Sequence, residues 1–106
     1  MPAVVTPLSD LIFASTLAVV EERMRQIERF GHDAEQDDGR PRCFLLREAH
    51  VRLLDASDLV SGRPNRAALS RARTKAVQAA ALCLAEIDRI DRRIRTAPVG
   101  EPHETQ

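Results

Sequence analysis

Between Asn65 and Pro98 the residues Leu69, Ala72, Ala76, Ala80, Cys83, Ile87, Ile90 and Ile94 recur every three or four positions. That spacing lines one face of an α-helix, whereas a strand needs alternation every second residue. Asn65 is a favourable N-cap and Pro98 cannot continue a helix, so the spacing predicts one helix of about 30 residues. Ala79-Ala80-Ala81 inside it permits a neighbouring helix to approach closely.

Two shorter helices are predicted before it. Pro7 and Ser9 supply start signals, and Phe13, Leu17, Val20, Met24 and Ile27 then form an apolar stripe that ends at Phe30-Gly31, which predicts a helix over 9–30. The stretch from Gly31 to Pro41, with His32, Asp33, Glu35, Asp37 and Asp38, is too polar for a core element and predicts an ordered loop. Leu45, Leu46, Ala49, Leu53 and Leu54 mark the second helix, from Arg42 to about Ser57, and Ser61-Gly62-Arg63-Pro64-Asn65 breaks the chain after it. Residues 1–8 read as an N-terminal extension, 9–97 as one helical domain and 98–106 as a flexible tail.

The predicted fold is therefore all-α, an antiparallel three-helix bundle with a long C-terminal helix. Helices of about 20 and 15 residues cannot cover a third of about 30, so a homo-oligomer is expected; a coiled coil along the third helix is the competing reading. Three Phe with no Tyr or Trp argue against a base-stacking RNA-binding sheet, and 16 basic against 16 acidic residues leave no net charge to attract nucleic acid. No apolar run is long enough to cross a bilayer, and no basic stretch precedes an apolar core, so a cytoplasmic protein without a membrane span or secretory signal is expected. Cys43 and Cys83, in apolar contexts and outside any CxxC spacing, read as reduced small hydrophobes.

Two clusters stand out chemically. Helical periodicity puts Glu22, Arg25, Gln26 and Arg29 on one polar face just before the acidic loop, where Gln26 can hold a sugar or base and a guanidinium a phosphate. The same residues equally suit a solvated face with ion pairs such as Glu21 or Glu22 to Arg25. The second is the run Arg63, Arg66, Arg71, Arg73 and Lys75, free of acids, which can serve as a phosphate or partner patch, or simply attract the acidic loop. Glu48, Glu86, Asp88 and Asp91 offer poor support for a metal, with Asp88-Arg89-x-Asp91-Arg92 near the helix end reading as solvent-facing ion pairs; His32, His50 and His103 show no ligand spacing. No nucleophile elbow or phosphate-binding loop motif is present.

The segment Val20-Glu21-Glu22-Arg23-Met24-Arg25-Gln26-Ile27-Glu28-Arg29-Phe30-Gly31-His32, with Asp37-Asp38 behind it, and the segment from Lys75 to Arg92 resemble small phage and prophage proteins related to the MazG-like all-α nucleotide pyrophosphohydrolases. That resemblance implies a Glu-x-x-Glu pair and a Glu-x-x-Asp pair holding magnesium. Here the first falls near Arg47 to Arg52 and leaves Glu48 alone, and the second falls near Lys75 to Gln78, where a base and an amide replace both acids. Mg²⁺ needs several hard oxygen ligands, and nearby cations repel it; Lys75, Arg47 or Arg52 in its place would let the pocket bind phosphates directly, without hydrolysis.

The reading is a non-catalytic phage-type accessory protein without a cofactor or metal. It is expected to bind a nucleotide or nucleotide-derived signal through Glu22, Arg25, Gln26, Asp37, Asp38 and Lys75, possessing no catalytic residues, and thereby to counter host defence. The alternatives are an anti-defence inhibitor of a host protein such as a CRISPR effector or nuclease, and a pyrophosphohydrolase that retains activity.

Overall fold

The computed structural model describes residues 8–30, 35, 38–41 and 43–98. Among these residues are three α-helices and no strand, α1 (Leu8–Phe30), α2 (Phe44–Val60) and α3 (Arg66–Thr96); Glu35 and Asp38 are also helical, with the Gly39 amide donating to the Glu35 carbonyl at 3.2 Å, where the sequence predicts a loop. The boundaries follow local chemistry. Asn65 caps α3 by accepting a 2.8 Å hydrogen bond from the Ala68 amide, and α3 stops at Ala97, before Pro98. α2 runs one turn further than its sequence stripe suggests, until Ser61 takes an extended conformation and Gly62 adopts φ +72°, a region open to glycine but costly for other residues. The expected start at Arg42 lies outside the described residues, as do 1–7 and 99–106.

The Asn65 bond satisfies one of the unpaired amides of the α3 N-terminus. Asn65→Ala is expected to cost about 1 kcal/mol and lower the melting temperature by several degrees, whereas Asn65→Asp keeps most of the stability; thermal denaturation followed by circular dichroism checks both.

α3 is the central element, packed most extensively against α2 and along a shorter stretch against α1. α2 runs antiparallel to it: Leu45 joins a core cluster with Leu82 and Ala85, Asp55 lies beside Lys75, and Val60 shares a groove with Leu69. The core is small. Its buried apolar residues are Leu45, Ala49, Ala72, Ala79, Ala81, Leu82 and Ala85, of which only the two leucines exceed alanine in size. The run of alanines brings α2 and α3 together, as the sequence predicts, at the cost of apolar volume.

The apolar stripes point elsewhere. Phe13 (69% exposed), Leu17, Val20 and Met24 face outward on α1, and its buried residue is Gln26. On α2, Leu45 and Ala49 are buried, but Leu46, Leu53 and Leu54 are exposed. Of the eight-residue series on α3 only Ala72 is buried; Leu69, Ala76, Ile87, Ile90 and Ile94 are exposed, and Ala80 and Cys83 half-buried. α3 instead buries Ala79, Leu82, Ala85, Glu86 and Arg89 on a neighbouring face. Cys43 is exposed beside the start of α2, against the expectation that it is a buried hydrophobe. No helix among the described residues is long and apolar enough to cross a membrane.

The reading of Arg89 as part of a solvent-facing group of ion pairs also needs correction. Asp88 does pair with Arg92 at the surface. Glu86 and Arg89, however, are 7% and 6% exposed. Arg89 donates from Nη2 to the Arg40 carbonyl (2.9 Å) and from Nη1 to the Pro41 carbonyl (3.2 Å), and Nη1 lies 3.9 Å from Glu86 Oε1. The chain just before α2 is thereby fastened to α3 by a buried guanidinium fork.

Candidate functional site

On α1, positions 22, 25 and 26 share one face by helical geometry. Arg25 donates from Nε to Glu22 Oε1 and from Nη2 to Oε2, both at 2.9 Å, a bidentate pair that pushes the Arg25 pKa above its ordinary value. Gln26 Nε2 donates to Glu22 Oε2 and to the main-chain carbonyl of Gln78 on α3, each at 3.3 Å. Both partners are acceptors, so the amide nitrogen must face them and Oε1 must face away. Oε1 is buried without a hydrogen-bond partner, on a residue only 4% exposed.

α2 contributes the opposite wall. Arg52 Nη1 donates to the Glu48 carbonyl (3.1 Å) and to Glu48 Oε1 (3.2 Å). With Glu22, Arg25, Gln26, Gln78 and Leu82, these two residues line a notch of about 140 Å³. Each carboxylate of the notch is balanced by an arginine of its own helix, so the site combines two guanidinium groups with the Gln26 amide and carries little net charge. Such a site suits an uncharged hydrogen-bonding group joined to an anion.

Three of the six sequence-predicted contacts thus meet: Glu22, Arg25 and Gln26. Lys75 lies next door, its Nζ 3.9 Å from Asp55 Oδ2, in a shallow groove shared with Asp58, Arg71, Thr74 and Gln78. Gln78 lines both spaces and joins them. Asp38 is elsewhere: it accepts from Arg92 Nη2 (2.6 Å) and Nε (3.2 Å), and the Arg92 hydrogen bond holds its carboxyl below the usual carboxylate range. Arg92 is 14 positions beyond Gln78 on α3, about 21 Å along the axis. Asp37 lies outside the described residues.

The basic run does not form one patch. Arg63, Arg66, Arg71 and Arg73 are all exposed, but Arg71 joins the Lys75 groove while Arg73 borders a groove between α2 and α3. Its suggested attraction to the acidic loop is not seen at Asp38, whose partner is Arg92. Sequence reasoning names Arg52 as a phosphate contact but misses Gln78 as a lining residue. Arg52 was legible as a residue one turn after Glu48, but nothing in a single sequence indicates which turn of α2 meets α1. Among the described residues no group of three or more His, Cys, Asp or Glu is placed to hold a metal ion.

Comparison with known proteins finds no matching family model, no matching curated protein and no matching solved structure.

Proposed function

We propose that the protein is a non-catalytic accessory protein of phage type that binds a nucleotide or nucleotide-derived signal at the α1/α2/α3 notch. The observation that carries this reading is the notch itself, lined by the guanidinium groups of Arg25 and Arg52 together with the amide of Gln26. Whole drug-sized ligands occupy about 300–1,000 Å³. The notch, at about 140 Å³, therefore takes one end of the ligand only. The remainder passes Gln78 into the groove where Lys75 and Arg71 meet its phosphates. In this reading Glu22 positions Arg25 and Gln26, and Asp38 belongs to the fold and not to the site. The protein works in the cytoplasm, of the host if phage-encoded, as a homo-oligomer.

Calorimetric titration of the full chain with a panel of ribo- and deoxyribonucleoside phosphates tests the proposal. At least one is expected to bind, with Gln26→Leu lowering its affinity about tenfold or more, as expected for loss of one buried hydrogen bond. Absence of binding across the panel removes the reading. In that event the runner-up, an inhibitor of a host defence protein, is tested by capture of a stoichiometric partner from host lysate.

A further inference from the structure

We infer that the apolar groove between α2 and α3 is filled by α1 of a second copy of this chain, and that the two copies exchange this contact reciprocally. The inference is independent of the ligand reading. It begins with the stripes that the fold leaves outside. On α1, Phe13 and Val20 are seven residues apart, as are Leu17 and Met24; all four are exposed. On α2, Leu53 and Val60 are seven apart, and on α3 Leu69 and Ala76 are seven apart. Residues seven apart lie on one helix face, so each pair presents a continuous apolar edge that the fold of one copy leaves uncovered.

Groove and stripe are complementary in shape. Leu53, Val60, Leu69, Ala72 and Ala76 line an open trough between two antiparallel helices, with alanines on the α3 wall that leave room for larger side chains. The trough spans seven residues of each wall, about 10.5 Å, and the span from Leu17 to Met24 has the same length. An amphipathic helix laid into an apolar groove presents anchors at such spacings.

The charges agree as well. Asp10, Glu21 and Glu28 lie along one edge of the α1 stripe, and all three are exposed. Arg66 and Arg73 lie along the outer edge of the α3 wall, also exposed, within a run that contains no acid between Arg63 and Lys75. Glu21 and Glu28 are seven residues apart, and so are Arg66 and Arg73. Acidic flanks on the inserted helix thus meet basic flanks on the receiving groove, which fixes the choice of occupant beyond mere apolarity. Because each copy carries one stripe and one groove, a two-fold arrangement satisfies both at once and closes.

The test uses Leu17→Glu and Leu53→Glu, at exposed positions that the fold of one copy does not need. Sedimentation velocity is expected to show the native chain as a dimer and each variant alone as a helical monomer, its association weakened at least a hundredfold. An equimolar mixture of the two variants is expected to recover a dimer weaker than the native one, held by the intact α1 of the Leu53→Glu chain in the intact groove of the Leu17→Glu chain while the reciprocal contact carries both substitutions. A native chain that stays monomeric, a variant that stays dimeric, or a mixture that stays monomeric overturns the inference. Should either variant fail to fold, a photo-cross-linking amino acid at position 17 in the otherwise native chain decides the matter. Cross-links to residues 53–76 of a second copy support the inference, and cross-links elsewhere or none refute it.

Discussion

Arg89→Leu is expected to lower the stability of the fold by about 3–5 kcal/mol, the loss associated with breaking a buried ionic contact from one side. Leucine fills much of the space but supplies no donor, so the Arg40 and Pro41 carbonyls lose their bonds and the buried Glu86 carboxylate loses its counter-charge. Arg89→Lys keeps a charge but not the planar fork, and its cost should be intermediate. Glu86→Gln removes the charge and leaves Arg89 its two carbonyl bonds, so it should be milder than Arg89→Leu. Urea unfolding of the four proteins measures the series. A loss below about 1 kcal/mol for Arg89→Leu would show that the fork is a crossing of surfaces and not a fastening of the chain before α2.

Leu45→Ala is expected to cost about 2–5 kcal/mol, from lost burial and from the cavity left behind. Leu45 is fully buried in a cluster made otherwise of Leu82 and alanines, so its loss removes a large share of the buried apolar volume among the described residues. Leu54→Ala on the same helix should change stability by less than about 0.5 kcal/mol, since Leu54 is 53% exposed. The sequence alone ranks these two leucines alike, because both belong to the predicted α2 stripe. Chemical denaturation of the two variants therefore checks the rotation of α2 against α3, and equal losses would contradict it.

The same rotation explains which parts of the molecule the sequence discloses. Helix number, order and ends are written in short-range chemistry: the Asn65 cap, the break at Gly62 and the stop at Pro98 act within a few residues. Which face turns inward is not short-range. The apolar stripes of α1 and α3 have the larger side chains, yet α3 packs on its alanines and α1 on Gln26. Small residues allow helices to approach closely, and one hydrogen bond from Gln26 to the Gln78 carbonyl sets α1 in place. A reading that assigns the most apolar stripe to the nearest core has no term for a surface the chain leaves available to another copy.

The candidate site was legible to the same degree. Glu22, Arg25 and Gln26 share a helix face that periodicity alone establishes. Lys75 could be placed on α3 but not beside Asp55, and Asp38 could not be matched with Arg92, because pairings 20 and 54 residues apart depend on how the helices are set. Arg89 misled for a related reason: charged residues near a helix end are usually solvated, and here the carbonyls of residues 40 and 41 accept from its guanidinium.

The structural account turns on one claim, that the seven-residue stripes left outside this small core are surfaces for a second copy. Sedimentation equilibrium of the native chain across the micromolar range tests it most directly. The account predicts a species of twice 11.8 kDa that dissociates on dilution; a single species of 11.8 kDa throughout would contradict it.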